Sequence, residues 1–453
     1  MARPIRLNAF AMNSVVHQSP GLWTHPRDRS VDYTRLEHWT ELARLLERGL
    51  FDGVFLADVL GTYDVYGGSN DAAVRRAVQV PVNDPLLLIP AMAAVTEHLG
   101  FGVTATLSYE PPYTFARRMS TLDHLTGGRI GWNVVTGYLA SAARAAGERT
   151  QRGHDDRYDV ADEYLDVVYA LWEGSWEDGA VVRDRARGVY ADPARVHRVE
   201  HRGANYTVDA VHLSEPSPQR TPVIYQAGSS ERGRAFAARH AECVFVSGQS
   251  PAIVAPRIAD IRARAEALGR DPRAILFYAL ATIVPGRTQE EAEATLADYR
   301  AHVSLEGAAA LVSGWTGVDL SRYALDEQLR HETNDAVHSL LASFTTGDPD
   351  RAWTIRDVIE WVGIGGHGPV FHGTPGAVVD QLEAWVAATD VDGFNLAFTI
   401  TPGTFEDVVE LVVPELQARG LHRTAYQDGT LREKLGGTAR LPATHPAAAF
   451  RRD

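Results

Sequence analysis

The feature that most constrains this chain is an alternation. Short strand-like apolar runs are followed, again and again, by longer stretches with helical spacing. IRLNAF (5–10) precedes a helical pattern through DYTRLEHWTELARLLERG, and FDGVFLAD (51–58) precedes PLLLIPAMAAVTEHLG. FGVTATLS (101–108), RIGWNVVTG (129–137), PVIYQAG (222–228), ECVFVSG (242–248), ILFYALATIV (275–284) and GFNLAFTI (393–400) continue the series, with helical runs between them. Apolar residues three and four apart mark the helices; short β-branched or aromatic runs mark the strands. Eight such units joined by right-handed crossovers close most naturally into a (β/α)₈ barrel of the α/β class, whose functional groups lie at the C-terminal ends of its strands. An open doubly wound sheet is the structural alternative.

Three connections are too long for simple loops: 59–84, 174–221 and 304–373, the insertions after strands 2, 4 and 7. On a compact barrel, insertions of this length serve as lids, pocket walls or oligomer contacts. The chain therefore reads as one barrel domain over 1–453, with a polar tail, 421–453, expected to wrap a neighbour or the barrel surface.

Composition narrows the function classes. The formal charge is −14 and Lys434 is the only lysine, so there is no basic footprint for nucleic acid or an anionic membrane. Cys243 is the only cysteine and stands in AECVFVSG, which excludes an intrachain disulfide and a cysteine metal cluster. No signal-peptide pattern opens the chain and no run of about 18 apolar residues occurs, so a cytoplasmic chain without membrane spans is expected. The Walker loop, the Rossmann glycine fingerprint, the zinc-protease helix and the hydrolase nucleophile elbow are all missing.

What remains is a set of polar residues at strand ends and helix starts. HDDRYDVADEYLDVVYALWEG (154–174) is a helix by the spacing of Val160, Tyr164, Val167, Val168, Leu171 and Trp172. His154 and Tyr158, four apart, would share one face at its N-terminus, where unpaired N–H groups and the helix dipole attract anions. Asp58 ends FLAD, Thr104 lies in FGVTATLS, Asn133 lies in GWNVVTG, and Ser229 and Ser230 open a helix. Singly, each could be a cap or a buried strand group. Together they supply two helix N-termini, hydroxyls and an imidazole for a phosphate, plus amide and carboxyl groups for a heterocycle. A phosphorylated cofactor lying across the barrel mouth would use them all.

GGRIGWNVVTGYLASAARAAG, HDDRYDVADEYLDVVYALWEGSWED and SPQRTPVIYQAGSSERGRAFAARHAE resemble the flavin-dependent monooxygenases of the bacterial-luciferase superfamily. The resemblance runs essentially end to end and is strongest to the branch acting on nitrilotriacetate, dibenzothiophene sulfone and dimethylsulfide. It implies a (β/α)₈ barrel and FMN, supplied as FMNH₂ by a separate NAD(P)H:FMN reductase and reacting with O₂. It assigns FMN contacts to Asp58, Thr104, His154, Tyr158 and Ser230; position adds Asn133 and Ser229. His17, in SVVHQSPGLW after the first strand, is the candidate catalytic histidine. ADVLGTYDVYGGS, HQSPGLW and VSGWTGVDL look most like the dimethylsulfide branch, and Phe10, Phe245 and Trp315 would make an aromatic substrate pocket without the arginine cluster a tricarboxylate demands. A small apolar organosulfur substrate is expected. The alternatives are an aminopolycarboxylate or a deazaflavin-dependent reaction in the same superfamily. Homodimers or homotetramers are the expected assembly.

Overall fold

Eight parallel strands close on themselves: β1 (Arg6–Met12), β2 (Gly53–Ala57), β3 (Gly100–Thr106), β4 (Ile130–Val135), β5 (Val223–Gln226), β6 (Cys243–Val246), β7 (Leu276–Pro285) and β8 (Gly393–Ala397). Each pairs with its chain neighbours, and β8 returns to β1 with Arg6 opposite Gly393 and Phe10 opposite Ala397. This is the (β/α)₈ barrel expected from the strand count. The structure, a computed structural model, describes residues 3–329, 342–345, 347 and 351–452.

The strands are buried on both faces, which is why they read as continuous apolar runs. Leu7, Val54, Leu56, Phe101 and Val103 point outward into the layer between sheet and helices. Phe55, Tyr225, Phe245 and Tyr278 fill the barrel interior, with Phe55 stacked on Phe245 at 4.2 Å. β7 outlasts β6, and the edge it leaves open is continued by a short strand, Val370–Gly373, that the sequence reading had placed in a loop region.

The tail packs on the barrel of its own chain. Ile5 N–H donates to Leu421 O (2.6 Å), and the helix Leu431–Gly436, started by a Thr430/Glu433 capping box, pushes Leu431 and Leu435 into the interior cluster from below. Gly100 makes this possible, because a Cβ there would stand 2.5 Å from Leu431 Cδ1. Arg432, 2% exposed, pairs with Glu242 (2.7 Å) and donates to the carbonyls of Gln219 (3.1 Å) and Thr221 (2.7 Å).

Two departures from expectation have physical causes. The helix expected over 85–100 is reduced to a turn, Pro85–Leu87, and a short helix, Ile89–Ala93. Buried Arg129 donates to the carbonyls of Ala93 (3.0 Å), Thr96 (3.0 Å) and Leu99 (3.1 Å), which takes the acceptors a longer helix would have used. The insertion between β4 and β5 holds two hairpins, Val181–Asp184 with Val189–Ala191 and Val199–Arg202 with Thr207–Ala210, in surface runs too short to register as strands. The other two insertions pack on each other over the barrel mouth, with Tyr63, Leu311, Val312 and Ile359 in one buried cluster. Among the described residues no helix is long and apolar enough to cross a membrane.

Candidate active site

The C-terminal ends of the strands surround a cavity of about 300 Å³. Asp58, just past β2, Thr104 on β3 and Asn133 on β4 line one side; Phe10 and Phe245, with Trp315 from the helix Leu305–Thr316, supply aromatic wall. Thr104 and Asn133 are register partners, and Asn133 Nδ2 donates to Thr104 Oγ1 (3.0 Å). Among the described residues Asn133 Oδ1 is buried without a hydrogen-bond partner, an acceptor facing the chamber. Burial, and then the nearby Asp84 charge, pushes the Asp58 carboxyl up to about 7.

A second chamber of about 230 Å³ opens beyond Ser229, sharing Val135, Tyr138, Ala227 and Ser229 with the first. The helix His154–Tyr169 begins at its edge, so His154 is the first helical residue and Tyr158 follows one turn later, their rings 5.4 Å apart. Ser230 caps the helix Glu231–His240, its hydroxyl accepting from Gly233 N–H (3.0 Å). Gly228 has no room for a side chain: a Cβ would fall 2.4 Å from both the Tyr158 hydroxyl and Gln226 Nε2. Two helix N-termini, a tyrosine, a serine, a histidine and the buried guanidinium of Arg157 therefore border one small space. That donor set fits a phosphate, and the polar side of the first chamber fits a planar heterocycle.

Sequence reasoning missed several lining groups. Arg157, between His154 and Tyr158, is given no role by the sequence reading and lines the second chamber. Arg257, on the helix Pro251–Ala267, and His367 both line the first chamber, so its wall is not purely aromatic. His367 is presented by Gly365 and Gly366 at φ 72° and 80°, where a Cβ would stand 1.7 Å from Thr282 Oγ1 and 1.9 Å from Gln18 Oε1. Its ring meets Ser343 Oγ (2.6 Å), Gln249 Oε1 (3.1 Å) and Ser247 Oγ (3.3 Å), and burial lowers its pKa to about 3.

His17, the expected catalytic histidine, is buried directly behind two lining residues, Phe10 and Gln18. It is 2% exposed and packs edge-on against Phe10 at 4.2 Å, and its neighbour Gln18 is the residue that lines the chamber. Burial pushes its imidazole down to about 3, so it stays neutral, and its Nε2 accepts from Gln18 Nε2 (3.3 Å). The reason is local: the chain after β1 turns back over the barrel and takes His17 into the wall.

The profile of the luciferase-like monooxygenase family matches residues 13–392. The chain belongs to this family. It is 51% identical to the dimethyl-sulfide monooxygenase of Hyphomicrobium sulfonivorans over 453 residues, covering 100% of this chain and 94% of that protein. It is 50% identical to the long-chain alkane monooxygenase of Geobacillus thermodenitrificans, covering 100% and 99%. The crystal structure of the Hyphomicrobium protein DmoA superposes with a TM-score of 0.93, covering 99% of this chain and 96% of that one at 50% identity. A riboflavin lyase solved with modified FMN and riboflavin gives a TM-score of 0.93 at 38% identity, covering 100% of both chains. This luciferase-like monooxygenase is thus an oxidoreductase.

Proposed function

We propose that the chain is the oxygenase component of a two-component system that uses FMNH₂ and O₂ to oxygenate a small apolar substrate, an organosulfur compound of the dimethylsulfide or sulfone kind. One observation carries the reading: the chamber bordered by two helix N-termini opens directly into the aromatic one, so a phosphate tail and a flat ring have adjoining places. A separate NAD(P)H:FMN reductase supplies the reduced flavin, and the chain assembles as a homodimer or homotetramer.

Bound reduced flavin supplies the electrons that activate O₂. The protein's own residues hold and shield it. His154, Tyr158, Ser229 and Ser230, with Arg157, cradle the phosphate. Asn133 Oδ1 and Thr104 Oγ1 hydrogen-bond the ring edge, and Asp58 sits beside them with a carboxyl that titrates near neutrality. Phe10, Phe245 and Trp315 exclude water and orient the substrate. His17 acts from behind this surface by fixing Gln18 and Phe10. The substrate reading rests on these aromatic walls and on similarity to the dimethyl-sulfide monooxygenase.

The test is anaerobic titration of purified protein with photoreduced FMN, followed by reductase-coupled turnover of sulfides, sulfones and nitrilotriacetate. Tight FMNH₂ binding with oxygen-dependent oxidation of an organosulfur compound is expected. Turnover of nitrilotriacetate alone would overturn the substrate assignment, and binding of a reduced deazaflavin in place of FMNH₂ would overturn the cofactor.

A further inference from the structure

A third, smaller chamber of about 90 Å³ lies beside the other two. Val59 and Leu60, just past β2, line one side of it, and Leu139 with Ala142, at the helix Ala140–Ala145, line another. Asp58, Val135 and Tyr138 also line the first chamber, so the two adjoin there. Leu60 is 54% exposed, whereas Leu139 and Ala142 are buried. The recess therefore leads from the protein surface to the wall of the aromatic chamber.

Its lining is apolar because the polar tips are used elsewhere. The Tyr138 hydroxyl is bonded to that of Tyr63 (2.8 Å), and the Tyr109 hydroxyl donates to Gln151 Oε1 (3.3 Å). Thr106 Oγ1 accepts from Ser108 N–H (3.4 Å). Asp58 is the only charged side chain lining the recess among the described residues, and it stands at the junction with the first chamber. The spacing of the sides is fixed: Ser141 Oγ donates to Thr62 O (2.8 Å), and a Cβ on Gly61 would fall 2.4 Å from Ser141 Oγ. Ring carbon and aliphatic side chains give water few partners there, and give an apolar molecule dispersion contacts on several sides.

On the FMNH₂-oxygenase reading above, the flavin phosphate fills the second chamber and its ring lies across the first, under two insertions packed over the mouth. A small reactant then needs an approach that does not pass the flavin. We propose that the recess is a binding site and side entrance for a small apolar molecule, dioxygen or the apolar substrate, which reaches the first chamber past Val135 and Tyr138. Dioxygen and a dialkyl sulfide share the relevant chemistry: neither carries a charge or a hydrogen-bond donor, and both partition from water into an apolar cavity. The recess raises the concentration of such a reactant next to the place where it is consumed. The entrance rests on the oxygenase reading; the binding site does not.

The experiment begins with xenon, an apolar probe that cavities of this kind take up. Crystals of the purified wild type are pressurised with xenon, as are those of Ala142→Leu and Val59→Phe, which add carbon to the recess from two sides. Thermal denaturation checks that each variant folds, either one suffices, and the wild-type result depends on neither. Xenon beside Leu139 in the wild type, and its loss in a folded variant, is expected. No xenon in the wild-type recess, or xenon retained in both variants, overturns the proposal. FMNH₂ affinity by anaerobic titration should agree within about threefold across the three proteins, the ordinary variation for residues away from the cofactor. Failure of the wild type to bind FMNH₂ sinks the oxygenase reading and leaves the xenon site standing; loss confined to the variants places the recess in the cofactor site and overturns this inference alone. Stopped-flow mixing of the reduced, flavin-loaded enzyme with graded oxygen, and steady-state turnover of dimethyl sulfide, then separate the two occupants. The variants should lose about tenfold, what two buried methyl groups contribute, in one rate or both. A slower second-order reaction with oxygen assigns dioxygen, and a raised KM for the sulfide with oxygen reactivity intact assigns the substrate. Both unchanged in a folded variant that has lost xenon overturns the entrance.

Discussion

Asn133 Nδ2 donates to Thr104 Oγ1 across adjacent strands at 3.0 Å, and this one bond directs two other groups into the chamber. With its nitrogen engaged, Asn133 keeps Oδ1 as a buried acceptor without a partner among the described residues; with its oxygen engaged, Thr104 keeps a hydroxyl hydrogen to give. An acceptor beside a donor matches the imide edge of a heterocycle. Asn133→Leu should lower FMN affinity about 10- to 100-fold, the range expected for a lost buried hydrogen bond. Fluorescence titration reads this directly, and unchanged affinity would remove Asn133 from the cofactor contacts.

The phosphate cradle predicts a difference between two ligands. His154→Ala and Ser230→Ala should each weaken FMN by about 10-fold or more, the size of one charge-assisted contact, and leave riboflavin affinity nearly unchanged. Ser230 also caps a helix, so its variant should lose about 1 kcal/mol of stability as well. Equal losses for FMN and riboflavin would place both residues elsewhere than at the phosphate.

Asp58 makes stability and binding depend on pH. Its carboxyl is held up to about 7 by burial and Asp84, against 3.8 in an unfolded chain. Between those values the unfolded state binds fewer protons than the folded one, so stability falls as pH rises through that window and levels off above it. Thermal denaturation of Asp58→Asn should show a flatter profile over the same range. FMN affinity should change near pH 7 in wild type and not in the variant.

Arg432 tests the tail. Removing one member of a buried ion pair leaves the other charge stranded, and Arg432→Met should cost about 3–5 kcal/mol in chemical denaturation. The proposed FMN contacts lie at the opposite end of the barrel, so the folded variant should keep wild-type flavin affinity. A loss below about 1 kcal/mol, the level of an exposed pair, would mean the tail adds little.

The barrel was legible because its strands are buried on both faces and leave unbroken apolar runs bounded by turn residues. The helix start at His154 was legible for the same reason in reverse, since the apolar rhythm switches on only after Val160. The hairpins near 181–210 were not, because Val189–Ala191 and Thr207–Ala210 are short, lie at the surface and are held by pairing with a neighbour. Arg257 and His367 carried no local signal either. One is an ordinary arginine on a helix and the other follows two glycines, and only closure of the barrel brings both to the same wall. The burial of His17 was not legible either: its place after the first strand gives no sign that the backbone there sets it behind Phe10 and Gln18.

Because β1 shares an edge with β8, the bond from Asn8 to Asn395 spans 387 residues of chain. During synthesis the first strand can pair with β2 early, yet its other edge stays bare until residues 393–397 have left the ribosome. The plug formed by Leu431–Gly436 arrives later still. Completion of the barrel mouth therefore waits for residues 393–397, and a nascent chain stalled before residue 393 lacks the strand that closes the ring.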